Sequence, residues 1–284
     1  MDIVIFQAVK SSRSYINCDS HYTWKSAFST TFAHPHSLYP TTVTMKFFAA
    51  TLLCAALAEV AHGHYIFQYL TANGVKGAQY QNIRRNTNNN SPVTDLASND
   101  LRCNVGGGSG ASTTTVSVAA GSSVTFTADQ AVYHQGPVAF YLTKVASASA
   151  ADGSSDWVKI KEIGPTFSGS QAAWDLKGLS KLKGLLRRTI ADVHTDNYSV
   201  TIPSCVAAGE YLLRIEQLAI HNPGSPPQFY ISCAQIKVTG GGSKTLSPTT
   251  KIPGHVKSTD PGFTANIYSN FKSYTVPGPK VATC

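Results

Sequence analysis

Short runs of alternating apolar and polar residues occur along most of the chain after residue 64. Thr113–Thr127 contains two such runs on either side of Ala-Ala-Gly-Ser, a pattern that predicts a β-hairpin or at least two successive strands. Six further runs are rich in β-branched and aromatic residues and lie between clusters of Gly, Pro, Asn and Ser. These predicted strands are Tyr65–Leu70, Val138–Val145, Trp157–Ile163, Tyr198–Ile202, Tyr211–Ile220 and Phe229–Val238. Seven or eight strands in about 220 residues predict an all-β domain with a β-sandwich architecture.

Two long segments between the predicted strands, Asn73–Cys103 and Gly240–Ser273, are rich in Gly, Pro and Asn. Long loops on a rigid sandwich are where binding and catalytic sites are commonly built. A different pattern appears in Leu176–Ile190, where leucines recur at helical spacing with Lys and Arg between them, although two glycines weaken a helix. It is interpreted either as a membrane-surface or partner helix, or as a surface insertion or translated intron. We favour the insertion or the intron, because an isolated basic helix has no obvious partner in a secreted β-domain.

The N-terminal region has the pattern of a secretory leader. After Met45, a single Lys precedes the apolar run Phe47–Ala58, which is too short to span a bilayer and has the length of a signal-peptide core. Small residues at Ala61 and Gly63 predict cleavage after Gly63, so that the secreted chain begins at His64.

This interpretation divides the chain into three parts. Residues 1–44 have no comparable apolar run, and we interpret them as an upstream extension that does not belong to the protein; a genuine leader that includes them is the alternative. Residues 45–63 are the predicted signal peptide. Residues 64–284 are expected to form a single domain with no appended carbohydrate-binding module and no transmembrane span.

Charge and cysteine content exclude some functions. The formal net charge is +8, but Lys and Arg are scattered and no basic run alternates with aromatic residues, so no nucleic-acid partner is predicted. Two of the six cysteines precede His64, and Cys103, Cys205, Cys233 and Cys284 remain. An even number in an oxidising compartment predicts two disulfides, and four cysteines leave three pairings open. No CxxC motif is present to indicate zinc.

An N-terminal histidine would have unusual metal-binding capacity. Cleavage after Gly63 would give His64 both a free α-amine and an imidazole, which can chelate one metal ion. The α-amine has a reference pKa of about 7.7–8.0, so its deprotonation at neutral pH costs little beside a metal–nitrogen bond. One further imidazole would complete a nitrogen-rich, tetragonal set that favours Cu(II).

Several sequence motifs in order resemble the fungal lytic polysaccharide monooxygenases, most closely the cellulose-active auxiliary activity family nine. They are His64-Tyr-Ile-Phe-Gln after a signal peptide, Asn99-Asp-Leu-Arg-Cys-Asn104, His134-Gln-Gly-Pro-Val138, Ile202-Pro-Ser-Cys205 followed by Gly209-Glu-Tyr-Leu-Leu-Arg214, Gln228-Phe-Tyr-Ile-Ser-Cys-Ala-Gln235 and Asn266-Ile-Tyr-Ser-Asn-Phe-Lys-Ser-Tyr-Thr-Val-Pro-Gly-Pro279. The resemblance covers essentially all of residues 64–284. It implies an immunoglobulin-like or fibronectin-like β-sandwich whose long loops form a flat substrate face.

The resemblance also implies a copper site. His64 would supply the amine and one imidazole nitrogen, His134 the third nitrogen, and Tyr230 an axial phenol. His221 and Gln228 would form hydrogen bonds to bound oxygen. Independently of the family, period 2 along the predicted strand places Gln228 and Tyr230 on one face. His194 and His255 match nothing in the family pattern and are expected at the surface.

Further residue roles follow from the same resemblance. The disulfide pairs would be Cys103–Cys233 and Cys205–Cys284, and Tyr80, Tyr268 and Tyr274 would lie on the flat substrate face. Asn197 begins an N-glycosylation sequon; a second sequon, at Asn89, is disfavoured by the proline that follows it.

The implied function is oxidative cleavage of cellulose or a related β-1,4-glucan at C1, C4 or both by a secreted, monomeric enzyme. It would use one copper ion, O2 or H2O2, and an external electron donor, either a small-molecule reductant or a protein resembling cellobiose dehydrogenase. Two other classes of function are alternatives. A glycoside hydrolase needs two facing carboxylates, and no Asp/Glu pair here has a motif around it. A non-catalytic copper-binding or cell-wall-binding β-sandwich is the alternative that the residues leave open.

Overall fold

The computed structural model describes residues 64–168, 171–174 and 196–284, and its regular structure there is almost entirely β. One short 3-10 helix, Asn99–Leu101, is the exception within these ranges. The strands are β1 (Phe67–Ala72), β2 (Val75–Lys76), β3 (Val116–Ala119), β4 (Ser123–Ala128), β5 (Val138–Val145), β6 (Trp157–Ile163), β7 (Pro165–Ser168), β8 (Gln171–Trp174), β9 (Asn197–Thr201), β10 (Gly209–Ala219), β11 (Gln228–Thr239) and β12 (Thr249–Thr250).

Two sheets form the sandwich. The smaller sheet has the strand order β2-β1-β4-β9, and the larger has the order β12-β6-β5-β10-β11-β3. All pairs are antiparallel except β3 with β11. Strands β7 and β8 form a separate hairpin. The predicted all-β sandwich is therefore confirmed.

Alternation of buried and exposed side chains explains why these segments form strands. In β9 the buried residues are Tyr198 and Val200, and in β4 they include Val124 and Phe126. Their side chains, with those of the larger sheet, form one apolar core between the sheets. The longest strands, β10 and β11, are instead buried along most of their length because loops cover the outer face of the larger sheet.

Most predicted strand positions agree with the structure. Val138–Val145 and Trp157–Ile163 match β5 and β6, and the others differ by one or two residues at each end. The run Thr113–Thr127 forms two successive strands, but the hairpin interpretation is wrong because β3 pairs with β11 and β4 pairs with β1 and β9. The β7–β8 hairpin was not predicted.

Other sequence predictions fall beyond the described part of the chain. The Leu-rich segment Leu176–Ile190, the proposed signal peptide, residues 1–44 and His194 all lie outside it. In the described residues, no helix has the length and apolar character needed to cross a membrane.

A buried ion pair on the outer face of β10 corrects one prediction. Arg214 and Glu216 alternate with core residues, and the guanidinium of Arg214 donates to the carbonyl oxygen of Leu101 at 2.7 Å and to the Glu216 carboxylate at 2.5 Å. His255, expected at the surface, is only 5% exposed, and its Nε2 lies 2.8 Å from the Glu216 carboxylate. The loop that carries His255 covers this face, so a carboxylate inside the protein, not solvent, is its partner.

The charges in this cluster are set by burial and by Arg214. Burial alone would raise the pKa of Glu216, but Arg214 and His255 lower it to about 2. Burial lowers the pKa of His255, which is therefore neutral near pH 7. Its Nε2–H donates to the carboxylate, since a carboxylate can only accept. The ion pair is thus Arg214 with Glu216, and His255 adds a neutral hydrogen bond.

Two disulfides connect the covering loops to the sandwich. Cys103 bonds to Cys233 of β11, and Cys205 bonds to Cys284 near the C-terminus. These are the two pairs that the family resemblance implies. The first fixes the early loop on the strand that also carries Tyr230, and the second fixes the C-terminal segment.

Replacing Glu216 with Gln is expected to reduce the loss of unfolding free energy that occurs as the pH falls below about 5. Because its pKa is about 2 in the folded chain and 4.5 for the free side chain, Glu216 stabilises the fold above about pH 5, and this contribution is lost as the pH falls towards 2. The free energy of unfolding of the wild type should fall by on the order of 3 kcal/mol from this group alone. Urea titrations between about pH 2 and 7 measure it.

At pH 7 the E216Q protein should be less stable by about 3 kcal/mol, because Arg214 is left buried without its charge partner. Asp156→Asn is the matched control, since Asp156 pairs with Lys251 at the exposed surface and such pairs contribute at most about 1 kcal/mol. An acid slope in E216Q equal to that of the wild type would contradict this account.

Candidate metal centre

The register of the larger sheet brings several chain segments to one end of the sandwich. Gln217 pairs with Val138, and Ala219 pairs with Gln228, so β5 and β11 begin where β10 ends. The segments just before β5 and just after β10 therefore lie beside the start of β11. The segment that enters β1 joins them, and these four pieces of chain carry the residues predicted to hold copper or to form hydrogen bonds to bound oxygen.

Three histidines and a tyrosine meet at this end. The ring centroids of His64 and His134 are 5.6 Å apart with an interplanar angle of 83°, and His64 lies 5.9 Å from Tyr230. The rings of His134 and His221 stack at 4.1 Å. Residues 64, 134 and 221 are each partly exposed, whereas Tyr230 is buried. The structure thus places four of the predicted site residues next to one another.

The fifth, Gln228, contacts Tyr230 directly. The Tyr230 hydroxyl donates to the Gln228 side-chain oxygen at 3.0 Å, so both side chains lie on one face of β11 as the period-2 pattern predicts. Burial raises the pKa of Tyr230 far above its usual value of 10. The phenol is therefore protonated and neutral at any physiological pH.

Burial also sets the charge of the two histidines away from the chain start. The pKa of His134 falls from 6.5 to about 4, first because of burial and then because of the neighbouring charges of His221 and His64. The pKa of His221 is lowered by burial and by His64. Both rings are neutral near pH 7. Neutral imidazole is the form that binds metal ions.

Two ring nitrogens in this cluster have no hydrogen-bond partner although they are buried. They are His134 Nε2 and His221 Nδ1. A buried polar atom without a partner normally costs free energy, so its presence calls for a ligand or a function. An unpaired nitrogen on a neutral imidazole fits a metal ligand at His134. The donor set, imidazoles and a phenol with no carboxylate, fits copper better than a hard cation such as Mg²⁺ or Ca²⁺.

Side chains alone do not complete this site. Among the residues that the structure describes, no group of three His, Cys, Asp or Glu side chains is arranged to hold a metal ion. Beside the imidazoles of His64 and His134, the backbone nitrogen of His64 is a further candidate donor. The nitrogen of His64 becomes such a donor only if it begins the chain.

A buried tyrosine anchors the residue that follows His64. The Tyr65 side chain is 2% exposed, packs on the Tyr230 ring at a centroid distance of 4.3 Å, and donates its hydroxyl to the Gln217 side-chain oxygen. The Gln217 amide nitrogen donates to the carbonyl of His134 at 3.0 Å. One glutamine in the core therefore ties the segment of His64 to the segment of His134.

Two half-buried side-chain amides bond to the backbone of His64. The side-chain nitrogens of Asn90 and Gln130 both donate to the His64 carbonyl oxygen. Ile66, two residues after His64, donates its N–H to the Asp129 carboxylate at 2.8 Å. Its carbonyl oxygen accepts from the Asp129 N–H. Sequence reasoning missed these residues, because their partners lie 26 to 66 positions away and no motif marks them.

Two segments of the chain lie close together and position His134. Ile220 N donates to the Gln135 carbonyl at 2.9 Å, which brings the end of β10 against the turn after His134. A Cβ on Gly136 would lie 1.8 Å from the Leu218 carbonyl oxygen, so only glycine allows this packing. This explains the glycine in the His-Gln-Gly-Pro motif.

The predicted substrate-face tyrosines differ in exposure. Tyr268 is 63% exposed, whereas Tyr80 and Tyr274 are half-buried and their hydroxyls donate to Asn86 and to the Gly262 carbonyl. Tyr274 also packs on Trp174 and Phe271.

A further ring, Tyr133, is 45% exposed directly before His134, and sequence reasoning missed it. Its position next to the predicted ligand His134 in the sequence could have indicated that it lies near the site.

Asn197, the first residue of β9, is exposed, as an N-glycosylation acceptor must be. Its side-chain oxygen accepts a hydrogen bond from Thr127 at 2.6 Å. This site lies on the smaller sheet.

Comparisons with known proteins find a matching family and similar proteins. The model of Auxiliary Activity family 9 (formerly GH61) matches residues 64–275. AA9 family lytic polysaccharide monooxygenase E of Podospora anserina is 57% identical over 82% of this chain and 73% of its own length. AA9 family lytic polysaccharide monooxygenase A of Botryotinia fuckeliana is 51% identical over 84% and 69%. The crystal structure of a cellulose-active polysaccharide monooxygenase from M. thermophila is similar at a TM-score of 0.62 and 29% identity, over 78% of this chain and 100% of that one.

Replacing Gln217 with Met is expected to destabilise the fold and loosen the site. Met has a similar size but cannot bond to Tyr65 or to the His134 carbonyl, so two buried polar groups lose their partners. We expect a loss of about 2–4 kcal/mol in the free energy of unfolding, measured by urea denaturation.

The control is Thr125→Val, which removes a side-chain hydrogen bond to Ser199 at the solvent-facing surface of β4. It should change the free energy of unfolding by less than about 1 kcal/mol. Equal effects of the two substitutions would contradict the anchoring role of Gln217.

Proposed function

The chain belongs to Auxiliary Activity family 9, and from this membership and the geometry of the site we propose that it is a secreted, copper-dependent lytic polysaccharide monooxygenase. The proposed reaction is oxidative cleavage of β-1,4-glucan chains, as in cellulose, at C1, C4 or both. The observation that carries the proposal is the meeting of His64, His134 and Tyr230 at one end of the sandwich, with the family match beginning at residue 64.

In the proposed site, copper would be held by the α-amine and imidazole of His64, the imidazole of His134 and the phenol of Tyr230. When bound, copper supplies the redox chemistry by which O2 or H2O2 removes a hydrogen atom from C1 or C4 of a glucosyl unit. The protein keeps the His134 ring neutral at working pH, which leaves the unpaired Nε2 lone pair available. Since Tyr230 stays protonated, it offers a neutral oxygen and adds no negative charge.

His221 and Gln228 are proposed to position the small oxygen co-substrate. His221 is stacked on His134, is neutral and leaves a hydrogen-bonding position unused on Nδ1. The Gln228 oxygen already accepts from Tyr230, which leaves the amide hydrogens of the same side chain as donors. Together these side chains can form hydrogen bonds to O2 or H2O2 without adding a carboxylate to the site.

The proposed substrate lies across an open surface. A crystalline polymer cannot enter a pocket, so rings must meet the sugar faces at the surface. Tyr268 satisfies this requirement through its exposure, and Tyr80 and Tyr274 are proposed to complete the face with part of their rings. The related protein from M. thermophila, described as cellulose-active, supports cellulose as the substrate. The electron donor is proposed to be a small-molecule reductant or a protein resembling cellobiose dehydrogenase.

Secretion is part of the proposal because the site needs a processed terminus. Residues 45–63 would be removed as a signal peptide, residues 1–44 would not be part of the protein, and residues 64–284 would form one monomeric domain with N-glycosylation at Asn197. The two disulfides support an oxidising compartment.

The glutamates of this domain do not favour hydrolysis. The three glutamates after residue 64 are engaged elsewhere: Glu162 pairs with Lys159, Glu210 accepts from the Ala148 N–H, and Glu216 pairs with Arg214. None of them lies in the ring cluster around His64. A pair of facing carboxylates, which glycoside hydrolysis requires, is therefore not formed by these residues.

The test is the product released from cellulose. With copper, a reductant and H2O2, the mature protein should release aldonic acids or 4-keto sugars, which mass spectrometry identifies. His134→Ala should reduce their rate at least a hundredfold, because one of three nitrogens is lost. Tyr211→Phe is the control, since it alters a hydroxyl that bonds to the Ala207 carbonyl at the other end of β10.

Two results would contradict the proposal. Plain reducing sugars released without copper or reductant would identify a hydrolase. Cellulose binding and copper binding without any oxidised product would identify a non-catalytic binding protein.

A further inference from the structure

We propose that Tyr268 positions His221 through its hydroxyl while its ring contacts the glucan, so that one side chain connects the substrate face to the polar group beside the metal centre. This inference rests on the proposed function. The hydroxyl of Tyr268 donates to the His221 carbonyl oxygen at 2.8 Å, and the side chain is nevertheless 63% exposed. The ring is thus open to a substrate while its far end is held on the protein.

The backbone of Tyr268 is fixed independently of this bond. Its N–H donates to the Asn266 side-chain oxygen at 3.0 Å, which forms a tight turn in the C-terminal segment. The hydroxyl therefore extends from a constrained position. A constrained donor can hold its acceptor, here the carbonyl of His221, at a defined place.

The Tyr268–His221 bond connects the segment that carries His221 to the C-terminal segment. Ile220, residues 222–227 and residues 263–266 line one open cleft of about 400 Å³. Within the described chain, the Tyr268–His221 bond is the single hydrogen bond between residues 221–227 and residues 261–275. Removing the hydroxyl would leave residues 221–227 attached mainly through the ends of β10 and β11.

Movement of this segment would change the position of the His221 ring beside the metal centre. The His221 ring stacks on the His134 ring at 4.1 Å with an interplanar angle of 11°. Since the carbonyl and ring of His221 belong to the same residue, a shift of the backbone changes this stack. Tyr268 therefore touches the substrate on one side and sets the place of His221 on the other.

The other two tyrosines of the proposed face lack this connection. Tyr80 donates to Asn86, and Tyr274 donates to Gly262, each within its own stretch of chain. Among the three, the link to the histidine cluster belongs to Tyr268.

The test separates the hydroxyl from the ring. Tyr268→Phe keeps the ring and removes the hydrogen bond, and Tyr268→Ala removes both. Tyr211→Phe is the matched control, because its hydroxyl also donates to a backbone carbonyl, that of Ala207 at 2.7 Å, far along β10. Three quantities are measured: binding of the metal-free protein to cellulose, hydrogen exchange of the Ile220 and Ser225 amides, and the rate of oxidised product formation by the copper-loaded protein.

For Y268F we expect cellulose binding within about twofold of the wild type, because stacking on the ring is retained. The Ile220 and Ser225 amides, which donate to Gln135 and Asn222, should exchange about fivefold faster, and product formation should be about fivefold slower. Y268A should show these changes and also bind cellulose about tenfold more weakly. Y211F should match the wild type in all three measurements.

Wild-type exchange and product rates in Y268F would overturn the proposal, as would a product rate that falls only in proportion to cellulose binding. Failure of the proposed function is recognised separately, because the wild type would then form no oxidised product. In that case the exchange and binding measurements still decide whether Tyr268 holds the His221 segment.

Discussion

The hydrogen bond between Tyr65 and Gln217 in the core is the constraint on which the candidate metal centre depends. It fixes the residue next to His64 inside the sandwich, and the same glutamine holds the carbonyl of His134. The Tyr65 ring also packs on the ring of Tyr230. The buried Tyr65–Gln217 pair therefore contacts or adjoins all three residues proposed to bind copper, His64, His134 and Tyr230. The side-chain amides of Asn90 and Gln130 then fix the backbone of His64 through hydrogen bonds to its carbonyl oxygen.

Because the anchor lies at the end of the larger sheet, the register of β5, β10 and β11 positions the remaining groups. His134 precedes β5, His221 follows β10 and Gln228 begins β11, and antiparallel pairing brings these three ends together. The histidines lie just outside these strands and are partly exposed. The protein can thus keep two imidazoles neutral by burial and still present them at a surface that a polymer can reach.

Sequence patterns were sufficient for those parts of the fold that depend on local alternation. β5 and β6 were predicted residue for residue, and the shared face of Gln228 and Tyr230 follows from period 2. Partner strands were not predictable, since β3 and β4 are neighbours in the chain but enter different sheets. His255 was misplaced because its burial depends on Glu216, which lies 39 positions earlier.

The site divides in the same way between local and long-range information. His64, His134 and Tyr230 stand in recognisable motifs, whereas Gln217, Asn90 and Gln130 act through hydrogen bonds across 26 to 152 positions. Tyr268 was assigned to the substrate face, but its bond to His221 depends on the fold of the C-terminal segment. Such contacts leave no periodic signal, because each is a single pair of residues.

The central claim is that proteolysis creates the third nitrogen of the site. N-terminal sequencing of the purified extracellular protein, with its copper content and the electron paramagnetic resonance spectrum of Cu(II), tests it most directly. The account predicts His64 as the first residue, one copper ion per chain and a spectrum with three nitrogen ligands, and loss of this spectrum when Gly63 is retained. A different first residue, or a chain that begins at His64 and binds no copper, would contradict it.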